Sequence, residues 1–367
     1  MENDNNTRKK EPIEFLYKQL RFQRENLRKK KKLEKSERKN LPIASWSKKD
    51  RLLKEIGKEL CIILKTNGCA WSRSNSGGCT MCGYYNDRAE EPVTEQDIIS
   101  QFDFALNKHK ELINNPQEKI AIKIFNSGSF LDDNEIPEHA QKYILETVGK
   151  IETIKEIVIE SLPGFITDKK LTFVRDCINQ KYLEFGIGLE SANSFIEKNI
   201  INKPFDYQTF LMLNDKIHQY GLATRAYLLL KPPFLSEIQA IVDTCQSIQF
   251  CIDAKIDTIS INPVNVQENT ICKGLYQLNA YTPPSYYSLF VVLRSVLNQE
   301  ILNKVRVICD PSGAGSERGI HSCYRKECRE NMKNILEEFV FTQDINKVPK
   351  TFDCICYQKW KFSLSEQ

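Results

Sequence analysis

The sequence predicts an α/β fold: a barrel, or part of one, made of six parallel strands with helices outside. Two patterns carry that expectation. Short β-branched or apolar runs recur at intervals of about 25–40 residues, and each is followed by a stretch of helical amphipathic periodicity. Strands and helices in strict alternation form a parallel sheet covered by its crossovers. A third observation permits the fold without specifying it. The chain has 367 residues, 41% apolar and 27% charged, enough to enclose one large core with appendages.

Taken in order, residues 12–40 read as a long helix. Ile13, Leu16, Leu20 and Leu27 trace its apolar stripe, the basic run 28–32 extends it, and Pro42 ends it. Residues 1–50 hold 16 Lys or Arg against 8 Asp or Glu, while the remainder holds 36 against 40. A cationic element on a slightly acidic body suits a polyanion, RNA first; a solvated helix face is the plain alternative. Strands are expected at 61–65, 120–126, 156–161, 184–189, 224–230 and 257–261, and the run 304–309 offers an extra one. Between them lie amphipathic stretches at 95–113, 138–151, 168–179, 194–201, 206–220 and 235–251. The tail turns Gly/Ser-rich at 311–316 and then carries a cysteine cluster around a helix at 327–343. The chain therefore divides into a basic N-terminal helix (1–45), the barrel (46–303) and a small Cys-rich C-terminal module (304–367).

No run of about 18 apolar residues exists and the first residues lack an apolar stretch, so neither a membrane span nor a signal peptide is expected. A cytoplasmic protein follows, where thirteen cysteines read as metal ligands and packed thiols instead of disulfides. Cys61, Cys177, Cys245, Cys251, Cys272 and Cys309 sit in apolar or helical patterns and read as packing thiols. The informative group is Cys69, Cys79 and Cys82, spaced C-x9-C-x2-C directly after the first expected strand. Three soft thiolates with no fourth nearby leave one coordination position open, and open positions are where chemistry happens. An iron–sulfur enzyme is the first reading; a zinc knuckle with a distant fourth ligand is the alternative.

Loops after the strands' C-terminal ends converge on one face of a barrel, where barrel enzymes keep their sites. Asn126, Ser127, Gly128 and Ser129 close the second strand with small polar residues that read as part of a binding site, unless they form only a βα turn. Glu160 and Glu190 end the third and fourth strands, and a carboxylate in the mouth needs a partner such as a ribose hydroxyl, an ammonium or a structural cation. Arg225 on the fifth strand is a candidate partner for one of these, or half of a structural salt bridge. Lys231, before Pro232 and Pro233, faces a substrate carboxylate or simply marks helix entry.

The cysteine loop resembles that of radical S-adenosylmethionine (SAM) enzymes. That resemblance implies a TIM-like partial (β/α)6 radical SAM barrel in which Cys69, Cys79 and Cys82 bind three irons of a [4Fe–4S] cluster. The fourth iron takes the amino and carboxylate groups of SAM, whose reductive cleavage yields a 5′-deoxyadenosyl radical. The usual spacing is C-x3-C-x2-C; the x9 spacing here resembles the elongator-type tRNA-modifying members. Met81 occupies the hydrophobic position that packs near the adenine, and Tyr84, Asn126, Ser127, Gly128, Ser129, Glu160, Glu190 and Arg225 are the implied SAM-pocket residues. With segments 78–84, 126–130, 160–163, 187–191, 231–235, 262–267 and 310–315 in order, the chain from about 45 to 360 is similar to the archaeosine-forming radical SAM proteins, the radical subunits of archaeosine synthase. The implied substrate is a 7-deazaguanine nucleoside in archaeal tRNA carrying a lysine joined through its side-chain nitrogen. Hydrogen abstraction from the lysine leads to C–N cleavage. An unactivated C–H bond needs a radical cofactor, because no side-chain acid or base removes that hydrogen. Implied partners are tRNA, the lysine-transferring subunit of archaeosine synthase and a reductant protein, with no membrane.

In the tail, Cys323, Cys328, Cys354 and Cys356 supply four thiolates, enough for a closed site, with zinc first, a second iron–sulfur cluster next and free thiols as the remaining reading. His321 could replace one of them. Arg306, Arg318, Arg325, Lys326 and Arg329 flank this module and suit RNA phosphates, or are solvated surface charge. Two further readings stay open: radical SAM chemistry on another RNA base or a small molecule, and a non-catalytic zinc-stabilised RNA-binding protein.

Overall fold

The computed structural model describes residues 18–22, 38–321 and 325–366. One eight-stranded sheet runs in simple sequence order. Strand β1 (Ala44–Arg51) is antiparallel to β2 (Ile56–Ile63). From β2 onward every neighbour is parallel: β3 (Ile120–Phe125), β4 (Ile154–Glu160), β5 (Tyr182–Glu190), β6 (Ala223–Leu230), β7 (Thr258–Pro263) and β8 (Arg306–Ile308). Long helices cover the outside: α1 (Glu95–Lys108), α2 (Glu138–Lys150), α3 (Asp168–Cys177), α4 (Tyr207–Gln219), α5 (Glu237–Asp253), α6 (Tyr286–Val296), α7 (Lys326–Thr342) and α8 (Ile355–Ser365).

Local chemistry starts these helices where the sequence indicates. Thr94 and Ser236 close capping boxes with Asp97 and Gln239, and the Thr167 and Asp206 side chains accept from the third backbone N–H of their helices. Ile122, Ile124, Ile157, Ile159 and Phe185 on the strands are fully buried in one continuous core with the inner faces of the helices.

The sheet is a curled half-barrel, and side chains prove the curl. Arg306 on β8 reaches across the interior to Glu156 on β4 at 2.8 Å and to Glu184 on β5 at 2.8 Å. Arg225 on β6 binds Glu184 at 2.7 Å, and Thr258 on β7 donates to the same carboxylate. On the other side Lys123 of β3 bridges Glu59 of β2 at 2.6 Å and Asp50 of β1 at 2.7 Å. The β1–β2 turn seals this end: Leu53 N–H donates to Glu156, and Arg51 O accepts from Arg306 at 3.2 Å. Apart from Lys123, the fourth of six residues in β3, these residues lie in the N-terminal halves of their parallel strands or beside them, so the ionic layer is the floor of the barrel.

The half-barrel expected from the sequence is present, with two additions. The run 304–309 does form a strand, so the parallel part has seven members, and β1 adds an antiparallel edge. The boundary expected at 303/304 falls just before β8, which pairs with β7, while Met332, Leu336 and Phe339 of α7 join the common core. The tail is therefore built onto the barrel. Of the N-terminal helix, residues 18–22 are helical with Leu20 fully buried. Ile13, Leu16, Leu27 and the basic run 28–32 lie outside the described residues, as does Cys323.

Candidate active site

The cysteine loop leaves the C-terminal end of β2 and stands on the mouth of the half-barrel. Cys69 precedes a short helix, Ala70–Arg73, and Cys79 and Cys82 follow a turn in which Gly77 and Gly78 both take positive φ (76° and 83°), a conformation that a β-carbon would strain. The loop is gripped from a π-helical turn, Ile196–Ile201, and the residue after it. Thr80 donates its N–H to Ile201 O at 3.0 Å and its hydroxyl to Ile200 O at 2.7 Å. Trp71 Nε1 donates to Asn202 O at 2.7 Å, while Asn202 Nδ2 donates to Gly78 O at 2.8 Å and Ser76 O at 3.1 Å. The π turn and the left-handed Asn202 (φ 64°) thus free a set of carbonyls and one amide to hold the nine-residue spacer.

A second grip comes from the loop after β7. Gly83 N–H donates to Gln267 Oε1 at 2.5 Å, and Ile271 N–H donates to Thr80 O at 2.9 Å. Opposite, Gly128 lies so close that an added β-carbon would sit 2.6 Å from the Cys69 α-carbon, so only glycine lets the loop after β3 pass the first cysteine. Burial pushes the Cys79 thiol up to about 12, with the Lys203 ammonium pulling the other way and Cys82, Glu190 and Cys69 all near enough to act on it. Among the described residues no three His, Cys, Asp or Glu side chains converge as they would on a single metal ion.

The expected pocket residues divide into two groups. Around the cysteine loop stand Met81, half-buried on the core, and Tyr84, 53% exposed at the rim. Ser127 Oγ and Asn126 Oδ1 are buried with no hydrogen-bond partner, the kind of polar atom a ligand satisfies. Ser129 is used within the protein: its N–H donates to Glu135 at 2.9 Å and its hydroxyl accepts from Leu162 N–H at 3.0 Å. Burial raises the Glu160 carboxyl to about 7. Glu190 is likewise raised by burial, with Lys203 Nζ 3.4 Å away acting against it. Arg225 belongs to the other group. The structure puts it on the floor against Glu184 because it is the third residue of its strand, well below the mouth.

Lys231 also has a protein partner, Glu237 at 2.6 Å, whose carboxylate further accepts from Ser285 N–H at 2.9 Å. Sequence reasoning missed Lys203 and Asn202. An Asn just past a helical run does signal a left-handed residue, but nothing local reveals that its amide reaches back 124 residues to Gly78. In the tail, Cys328 and Cys354 lie 3.5 Å apart, sulfur to sulfur, and Cys354 Sγ accepts from Cys356 N–H at 3.4 Å. Arg306, expected to face RNA, is instead buried in the floor.

No protein-family model matches the chain. Among curated proteins, archaeosine synthase subunit beta of Methanosarcina acetivorans is 35% identical over 324 residues, 88% of this chain and 89% of the relative. The subunit of the same name from Thermococcus kodakarensis is 32% identical over 86% of this chain and 95% of its own length. The chain belongs to the archaeosine synthase beta-subunit family. An uncharacterised protein of Methanocaldococcus jannaschii shares the sequence at 38% identity over 88% of the chain and 86% of that protein. Among solved structures, methylornithine synthase (PylB) aligns with a TM-score of 0.48 at 14% identity over 85% of this chain and 77% of its own. Methanocaldococcus infernus Elp3 aligns with a TM-score of 0.47 at 14% identity over 66% of this chain; the chain spans 59% of that protein's length. In this member of the beta-subunit family the donor set, the glycine at Cys69 and the orphaned polar atoms of the β3 loop together fit a thiolate-held cluster with a small polar ligand beside it.

Proposed function

We propose that this chain is the radical SAM subunit of an archaeosine synthase, acting on tRNA and cleaving a C–N bond in a lysine adduct of a 7-deazaguanine nucleoside. The observation that carries the reading is the three-cysteine loop clamped over an open barrel mouth in a chain of this family. Cys69, Cys79 and Cys82 would hold a [4Fe–4S] cluster. Bound together, cluster and SAM supply one-electron chemistry able to take hydrogen from an unactivated carbon.

The chain's own residues do the rest. Asn126 and Ser127 offer buried acceptor and hydroxyl atoms to the amino-acid end of SAM. Met81 and Tyr84 would flank the adenosine, and Glu190 with Lys203 presents a charge pair at the mouth. Glu160, its carboxyl raised to about 7 by burial, would donate a hydrogen bond to a sugar hydroxyl when protonated and accept one when ionised. Positioning the target carbon and excluding water are the remaining tasks, and a walled mouth serves both. In the tail, we assign Cys323, Cys328, Cys354 and Cys356 to a structural zinc, supported by the close Cys328 and Cys354 sulfurs and the N–H directed at Cys354. The lysine-transferring subunit and a reductant protein complete the reaction, in the cytoplasm; among the described residues no helix is long and apolar enough to cross a membrane.

The test is anaerobic. Purified protein should be brown, and Cys79→Ala should bleach it. Reduced enzyme with SAM should form 5′-deoxyadenosine with lysine-adduct tRNA and not with unmodified tRNA, with the loss from the adduct read by mass spectrometry of the tRNA. Colourless protein containing only zinc, or equal turnover with both tRNAs, overturns the reading.

A further inference from the structure

Beyond the mouth, the loop after β8 and helix α7 enclose a cleft of about 280 Å³ whose one wall is basic. Lys326, Arg329 and Lys333 line it from α7. At spacings of three and four residues they share one face of the helix. The opposite wall is formed by Ala314, Gly315, Ile320 and His321 of the loop with Tyr286 of α6, Gly315 lying at φ 79°. Arg318, exposed on the same loop, adds a further cation.

The loop is tightly built. Gly315 N–H donates to Ile320 O at 3.3 Å, and a β-carbon at Gly319 would lie 2.2 Å from Gly313 O. Its place relative to the mouth is fixed by hydrogen bonds. Arg318 O accepts from Val266 N–H at 2.8 Å, and the next residue, Gln267, holds Gly83 immediately after Cys82. The basic cleft and the cysteine loop are thus two edges of one rim, joined through the loop after β7.

We propose that this cleft grips the sugar–phosphate backbone of the RNA whose modified nucleotide enters the mouth. The inference rests on the RNA-substrate reading above and assigns it a surface. Charge complementarity is the argument. Of the charged residues lining the cleft, three are cations and one, Glu330, is an anion. The cations' own ion pairs are loose and exposed: Lys326 to Glu330 at 3.8 Å and Lys333 to Glu337 at 3.5 Å. Pairs of that kind contribute little, so a phosphate displaces them at small cost. The small residues Ala314 and Gly315 face the cations across the cleft and leave room for a sugar–phosphate backbone between them.

The experiment uses the full-length, cluster-loaded protein and fluorescently labelled tRNA, with affinity measured across a salt series. The variant Lys326→Ala/Arg329→Ala/Lys333→Ala replaces surface helix residues by the best helix former, so the fold should persist. Its affinity should fall roughly tenfold or more near 0.1 M salt, and the slope of log affinity against log salt should flatten by about two to three. A control variant, Lys142→Ala/Lys169→Ala/Lys216→Ala on α2, α3 and α4, should bind as the parent does. If the parent binds tRNA and the α7 variant matches it in affinity and slope, the cleft is not the grip and the proposal fails while the RNA-substrate reading stands. If the α7 variant keeps its tRNA affinity but loses a co-purifying protein, the cleft serves a protein partner and the proposal also fails. Failure of the parent to bind tRNA removes the reading beneath it.

Discussion

The floor and the mouth of this half-barrel both hold buried charged side chains, yet in opposite states. On the floor each acid has its cation: Glu184 sits between Arg225 and Arg306, Glu156 takes Arg306, and Asp50 and Glu59 share Lys123. Burial works to raise the Glu184 carboxyl, but the two guanidiniums outweigh it and hold it at about 2. At the mouth the same burial goes largely unanswered. Glu160 rises to about 7, Glu190 rises despite Lys203, and the polar tips of Asn126 and Ser127 have no partner. Polarity at the floor is matched charge for charge, whereas at the mouth burial outweighs the partners present, the pattern expected of a binding site.

The sharpest way to break this comparison is to remove one acid from each end. Glu184→Ala leaves two buried guanidiniums without their shared counter-charge and should destabilise the protein by about 3–5 kcal/mol, read by chemical denaturation. Glu160→Gln should match the parent's denaturation midpoint near pH 4.5 and exceed it at pH 7, where the parent carboxyl begins to ionise, while weakening SAM or substrate binding. Equal losses from both would erase the distinction between floor and mouth. The pH dependence separates them further. The Glu160 carboxyl titrates at about 7 in the folded chain against an ordinary value of 4.5, so the native state holds this proton more tightly. Its stabilising contribution is complete below pH 4.5 and is lost as pH rises through 7. Glu160→Gln should flatten that fall. Glu184, with its carboxyl held low, acts in the opposite sense: its contribution is present above pH 4.5 and is lost as pH drops toward 2.

An intermediate effect is expected where the mouth is held in shape by neutral hydrogen bonds. Asn202→Ala removes two donors to the cysteine loop and places alanine in a left-handed conformation, for a loss of about 1–3 kcal/mol. Asn202→Gly keeps that backbone accessible and removes the amide alone. Both variants should retain less iron per chain than the parent after anaerobic reconstitution, with glycine the milder. Full iron content in both would mean that the π-turn grip is not what positions the thiols.

The sequence disclosed these two ends unequally. Parallel strands buried on both faces read as apolar runs, so β3, β4, β5, β6 and β7 are visible at nearly their true places. The start of β2 is hidden, because the strand begins at Ile56 and carries Glu59 inside the barrel, which interrupts the apolar pattern. Strand β1 is hidden for a related reason: Trp46, Lys48 and Asp50 alternate with Ser47 and Lys49 on an edge strand that is half wet on both faces. Arg225 and Arg306 misled differently. Their places near the starts of their strands mark them as floor residues, whereas Glu160 and Glu190, at strand ends, belong to the mouth. The three mouth cysteines were legible because their spacing is local. Asn202 and Lys203 were not, because their partners lie far back in the chain.

The smallest effect is expected where the two sides of the open barrel meet in solvent. Lys48 of β1 pairs with Asp310, just past β8, so it ties together the same two edges that Arg306 ties by binding Arg51 O on the floor. The difference is water: the Lys48 and Asp310 side chains are 44% and 72% exposed. Solvent screens their attraction and each side chain loses rotamer freedom to keep the pair, so the net gain is small. Lys48 also keeps a second acid, Glu59, at 3.7 Å. Asp310→Asn should therefore shift stability by less than about 1 kcal/mol, and raising the salt should shrink even that. A loss approaching that of Glu184→Ala would show that the seam is held from its wet side, and that burial does not divide the structural charges of this barrel from its surface ones.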